Sequence, residues 1–410
     1  MTMTTLLDNY AMLIVREGVN IQHGQMLIIN SPIECAPFAR LLSEKAFAAG
    51  AADVHIFWND ELFRKLRLER AEIDMLQDIP QWQRDARMYY VREKGAGVIT
   101  IAANDPDLLK EVDPTKAAAE HRAQSVAFKE YRSFMMSNNA RWNVVSVPTA
   151  GWARKVFPHL PQGEAMEALQ SAILTACHAD GADPVTAWKR HTAAMQARIE
   201  LLNQFRFSAL HYRSANATDI TIGLADEHIW CGGTESDQQQ IPFNPNIPTE
   251  EVFTAPHRNR VDGIVKSTKP LLYNGILIDD FSLTFAGGSV VAASAGTGEE
   301  TLLNLLDTDA GSRCIGEVAL VPYHSPINDM GLLFYNTLFD ENASCHLALG
   351  EAYAMTIGGA ERNTEALAQK GANNSLQHVD FMIGACDTAI DGITSDGKRI
   401  AVFRDGDFVF

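Results

Sequence analysis

Apolar and polar positions alternate along the first half of the chain in two different periods. Residues 6–17 carry apolar side chains at three- and four-residue steps, which predicts an amphipathic helix. Met26-Leu27-Ile28-Ile29 is an apolar run of strand length, closed by Asn30-Ser31-Pro32. Residues 36–49 return to the helical period and stop at Gly50, a residue suited to the left-handed turn just past a helix end. Residues 53–58, 97–103 and 143–147 are further β-rich runs, with helical stretches between them. Strand–helix alternation of this kind predicts an α/β domain with a mainly parallel sheet. Two longer helical stretches, 165–179 and 184–205, read as a connector.

After Phe207 the period shortens. Residues 208–213, 219–223, 260–265, 275–285 and 288–293 are β-rich and separated by turns such as Asp262-Gly263 and Gly287-Gly288. One helix, 299–307, interrupts them, and 402–410 reads as a terminal hairpin around Asp405-Gly406. The expectation is two domains: 1–206, α/β with its helical connector, and 207–410, α+β.

Composition narrows the function classes. With 410 residues and a 46 % hydrophobic share there is material for two cores. The net charge of −17, from 51 acids and 34 bases, repels phosphate backbones and argues against a nucleic-acid partner. The six cysteines lie singly, with no CxxC pair, as expected of reduced thiols. No basic-then-apolar leader opens the chain, and no apolar run approaches the ~20 residues of a membrane span. A cytoplasmic protein with no membrane partner is expected.

Common catalytic motifs are missing. There is no HExxH, no GxSxG and no GxxxxGK[ST]; Gly296-Thr297-Gly298-Glu299 lacks the lysine that meets phosphate. The Asp- and Gly-rich residues 391–397 do not have EF-hand spacing.

Carboxylates and histidines gather instead in the second half. In His378-Val379-Asp380-Phe381 a strand would turn His378 and Asp380 to one face and Val379 and Phe381 into packing. Glu317 opens the apolar run Val318-Ala319-Leu320-Val321, where an unpaired carboxylate is costly. Glu250 and Glu251 face opposite ways in an extended segment, and parity does not choose between them. His346 lies in a segment, 342–353, that reads as helical, which would put Tyr353 two turns further along the same face. Taken singly, each has a structural explanation: a surface His–Asp pair, a strand-end glutamate, a solvated acidic pair, a core histidine. Together they supply more ligands than one catalytic zinc takes, and they suit two ions sharing a carboxylate.

Over longer segments the chain resembles the M29 metallo-aminopeptidases, the aminopeptidase T and aminopeptidase S group. The segments are 246–257, 269–275, 315–322, 334–350 and 378–384, with looser agreement before residue 240. The resemblance selects Glu251 over Glu250. It implies a metal-ligand set of Glu251, Glu317, His346, His378 and Asp380, with Tyr353 beside the metals as an oxyanion donor. Glu317 is the expected bridging carboxylate; Glu250, Glu251 and His257 remain open as general base. Cys345 departs from the expected pattern and stands as either a soft ligand or packing. The implied function is removal of the N-terminal residue from short peptides through a metal-bound hydroxide. It calls for two divalent ions (zinc, cobalt or magnesium) and a homodimer. A different dinuclear amidohydrolase, or a non-enzymatic cation-binding protein, is the rival reading.

Overall fold

The computed structural model describes residues 1–273, 276–359 and 363–410. Asn274 and Gly275, which close one of the resembling segments and open the β-rich run 275–285, lie outside the described residues. The chain forms two compact units. The first holds Met1–Thr192 and Thr234–Pro248; the second holds Ala193–Gly233 and Thr249–Phe410.

The first unit is built on four parallel strands: β1 (Met26–Pro32), β2 (Asp53–Asn59), β3 (Gly97–Ile101) and β4 (Trp142–Val145), in the order β2-β1-β3-β4. Leu27, Ile28, Ile29, Val98 and Ile99 are buried although they alternate between the two faces, the mark of a sheet covered on both sides. Helix Met3–Leu13 starts where the Thr2 hydroxyl caps the Thr5 amide and buries Tyr10, Ala11 and Leu13. Helix Ala36–Ala48 ends at Gly50, whose φ of 99° and closeness to His23 leave room for no side chain. The returning segment is held by backbone and side chain. Val144 N donates to the Pro245 carbonyl at 2.7 Å, and the buried Arg141 guanidinium pairs with Asp237.

The second unit begins with β5 (Ala209–Arg213) and β6 (Asp219–Leu224). The ribbon β7 (Glu235–Ser236) and β8 (Pro242–Phe243) belongs to the first unit. The chain then re-enters the second as β9 (Val252–Thr254), β10 (Pro256–Lys266), β11 (Leu271–Tyr273), β12 (Ile276–Ala286) and β13 (Ser289–Thr297). After helix Glu299–Leu306 come β14 (Ile315–Leu320), β15 (His346–Gly350), β16 (His378–Met382), β17 (Ala389–Ile393), β18 (Arg399–Arg404) and β19 (Asp407–Phe408). Nine strands form one antiparallel sheet, β11-β12-β10-β6-β5-β17-β18-β19, with β13 on β12. The Asp405-Gly406 turn closes the last hairpin with both residues at positive φ. The other sheet, β16-β15-β14-β9, is antiparallel and small.

That small sheet corrects one expectation. Residues 342–353 are not helical: after a 3-10 turn, Glu341–Ala343, the chain runs as strand β15. His-Leu-Ala-Leu-Gly has adequate helix formers, but pairing with β14 on one side and β16 on the other overrides that weak preference. His346 and Tyr353 therefore do not share a helix face.

Candidate metal centre

Strand alternation divides the small sheet into two faces. Val252, Val318, Leu320, Leu347, Leu349 and Phe381 enter the main core of the second unit. Their neighbours point the other way, and register aligns them in rows. Phe253, Ala319, His346 and Met382 stand directly opposite one another across the four strands. Glu317, Ala348 and Asp380 form the next row, and Gly350 pairs with His378 in the last. The alanines and the glycine are as informative as the charges. Ala348 stands between Glu317 and Asp380, and its methyl group does not separate the two carboxylates. Gly350 has φ 111°, and a side chain there would meet the Gln377 carbonyl oxygen at 2.0 Å.

The five expected ligands converge in two overlapping triads: Glu251, Glu317 and His346, and Glu317, His378 and Asp380. His346 Nε2 is 3.0 Å from Glu251 Oε2 and 3.6 Å from Glu317 Oε1. His378 Nε2 is 3.3 Å from Asp380 Oδ1 and 3.8 Å from Glu317 Oε2. Glu317 thus turns one oxygen to each triad. Donors on a common ion at 2.0–2.1 Å sit roughly 3 Å apart, near the shorter of these spacings.

The imidazole hydrogen bonds test whether a cation fits. His346 Nδ1 lies 3.0 Å from the Ser344 carbonyl, and His378 Nδ1 lies 2.8 Å from the Glu351 carbonyl. A carbonyl only accepts, so both Nδ1 atoms carry hydrogen and each neutral ring presents the Nε2 lone pair to the carboxylates. Glu251 Oε2 and Asp380 Oδ1 are buried there with no hydrogen-bond partner. Lone pairs of nitrogen and oxygen facing each other in a buried space need a positive charge between them, and the N/O set suits zinc-like ions. Protons alone would be driven in otherwise. Burial disfavours a charged His378, but Asp380 outweighs it and raises the imidazole to about 9. His346 follows the same balance, with Glu251 and Glu317 overcoming burial. Glu317 is pushed up by burial, and His378 holds Asp380 below the usual carboxylate range despite burial.

Tyr353 reaches this space from the loop after β15. Its ring stacks on His378 at 4.4 Å between centroids. Burial, then the charges of Glu317, Asp380, Glu341 and Glu251, raise the phenol well above its ordinary value, so it keeps its proton. Glu250 is directed elsewhere: its charge acts on Arg198, and its amide donates to Asn342 Oδ1 at 2.7 Å. His257 lies on β10, where its Nδ1 accepts from the Asn259 amide and Arg260 and Asp226 supply the nearby charges, away from the triads. The Cys345 thiol is fully buried, pushed up to about 12, and bonded to the Val321 backbone on the face opposite His346. It is packing.

Glu341 is the residue that spacing missed. Its carboxyl is raised well above the ordinary range by burial first and then by the charges of Glu251 and Asp380, and its Oε1 lies 3.5 Å from the Asn342 side-chain amide nitrogen. The turn that carries it is fixed on both sides. Asp340 accepts the Phe334 and Asn336 amides, and Asn342 donates to the Leu338 carbonyl. The signal was the acid five residues before His346, inside the resembling segment 334–350.

Buried carboxylates and imidazoles sharing one floor make a candidate metal centre. The model of the thermophilic metalloprotease family M29 matches residues 3–408. Aminopeptidase 2 of Geobacillus stearothermophilus is 46 % identical over 405 residues, 98 % of each chain. Aminopeptidase T of Thermus aquaticus is 40 % identical over 99 % of each. The solved structure of wild-type AmpT from Thermus thermophilus superposes with a TM-score of 0.95 at 39 % identity and covers 100 % of both chains. The chain belongs to the M29 family and is a metallo-aminopeptidase.

Proposed function

We propose that the site binds two divalent ions, zinc, cobalt or magnesium, and removes the N-terminal residue of short peptides. Glu251 and His346 would hold one ion, His378 and Asp380 the other, with Glu317 shared. The observation that carries this reading is the division of Glu317, one oxygen to each histidine-containing triad. Charge supports it. Glu251, Glu317 and Asp380 sum to −3 when ionised, and with neutral imidazoles they call for more positive charge than one divalent ion brings. Divalent ions held by these residues would supply Lewis-acid chemistry, polarising the scissile carbonyl and lowering the pKa of a bound water toward ~7.

The chain's own groups do the rest. The Ser344 and Glu351 carbonyls fix both imidazoles with Nε2 unprotonated. Tyr353, held as a neutral phenol over His378, donates to the carbonyl oxygen as negative charge develops there.

The free amine separates this reading from a general amidohydrolase. The metal-loaded protein should cleave leucine p-nitroanilide and leave the N-acetylated compound untouched; equal cleavage of both would rule out an aminopeptidase. Replacing His378 with Ala should remove metal and turnover together, and full metal with normal turnover would rule out the ligand assignment. A homodimer and a cytoplasmic site complete the proposal. Leu62, Phe63 and Leu66, all exposed on helix Glu61–Arg70, support a self-association surface, and among the described residues no helix is long and apolar enough to cross a membrane.

A further inference from the structure

The metal-binding floor contains one large apolar ring. Phe253 occupies the edge strand of the row that also holds Ala319 and His346. Strands are about 4.8 Å apart, so the Phe253 and His346 backbones lie roughly 10 Å from each other with only the Ala319 methyl between them. Val252, its neighbour, enters the main core, and Phe253 does not. The Phe253 ring meets the Tyr353 ring edge-on at 6.4 Å and 72°, and Tyr353 in turn lies over His378. The strand is braced: Phe253 and Cys231 exchange both backbone hydrogen bonds at 2.9 Å. Phe253 is buried yet lies outside the main core cluster, on the face of the sheet that carries His346, Glu317 and Asp380.

We propose that Phe253, with the edge of Tyr353, receives the side chain of the substrate's N-terminal residue and favours leucine- or phenylalanine-sized apolar groups over alanine. This rests on the aminopeptidase reading. An apolar wall is worth about 10–200-fold between substrates that differ by a hydrophobic group. It acts on the ratio between substrates, whereas loss of a metal ligand lowers them all.

The test uses the metal-loaded full chain with alanyl, leucyl and phenylalanyl p-nitroanilides. Phe253→Ala should retain its metal and lower kcat/KM for the leucyl and phenylalanyl substrates by about 10–100-fold, mainly through KM. The alanyl value should change by less than about threefold. An equal fall on all three substrates, or an unchanged leucyl-to-alanyl ratio, overturns the proposal. If the alanine variant loses metal, Phe253→Leu carries the test: it keeps the strand filled and should alter the phenylalanyl-to-leucyl ratio, and no alteration overturns the proposal. A wild type inactive on every free-amine substrate overturns the aminopeptidase reading and this one together. An active wild type with an unmoved ratio overturns this one alone.

Discussion

Strands β3 and β15 are both five residues long and nearly fully buried, yet they do opposite work. In β3, Gly-Val-Ile-Thr-Ile, the apolar side chains of Val98, Ile99 and Ile101 serve both faces as core, and the part-buried Thr100 bonds to Asn30. In β15, His-Leu-Ala-Leu-Gly, Leu347 and Leu349 serve one face, while His346, Ala348 and Gly350 line the other. Burial alone therefore does not distinguish a strand that is all core from one that carries candidate metal ligands. The difference lies in which alternate positions carry ionisable or very small residues. A small residue between carboxylates at the centre of a sheet leaves volume where a core would normally be filled.

The largest expected contrast comes from Tyr353. Tyr353→Phe should keep the metal and the fold but lower kcat by about 10²–10³, the usual cost of one oxyanion donor. Metal analysis beside steady-state rates checks this, and an unchanged kcat would remove Tyr353 from the mechanism. The converse change belongs to β3. Ile99 is fully buried, and Ile99→Ala should cost about 2–5 kcal/mol in urea unfolding while the folded enzyme keeps its kcat. A fall in kcat with unchanged stability would mean that the two strands are not divided as described.

The smallest effect concerns pH and the first unit. Burial raises Glu235 to about 7, against the hydrogen bond it receives from Asn138. An unfolded glutamate titrates near ~4.3, so the folded state holds the proton more tightly. Its contribution to stability is full below about 4.3 and is lost as pH rises through about 7. Glu235→Gln should flatten this part of the stability–pH profile between pH 4 and 8 without altering metal content. A profile identical to that of the wild type would show that Glu235 is not the titrating group.

The same contrast explains what could be read in advance. The parallel sheet of the first unit was legible because its strands are apolar runs between strongly periodic helices, such as Ala36–Ala48. The pairing of His378 with Asp380 on one face was legible because a strand's period is two. The segment around His346 was not, since Leu and Ala favour a helix and the strand exists only through its partners β14 and β16. Tyr353 was expected beside the metals through the family resemblance, and the helical route drawn to it was wrong; it arrives by a loop and by stacking on His378. Parity left Glu250 and Glu251 tied, and the charge of Arg198 on one side and His346 on the other separates them. Glu341 was missed because its position depends on a turn tied down by Asp340 and Asn342, residues that look like surface polar groups in a linear reading.

The shared role of Glu317 is the central claim, and counting metal on the purified protein tests it most directly. Elemental analysis after dialysis against zinc should find two ions per wild-type chain and fewer than one per Glu317→Ala chain, because both triads lose a ligand at once. One ion per wild-type chain, or two retained by the Glu317 variant, would contradict the account.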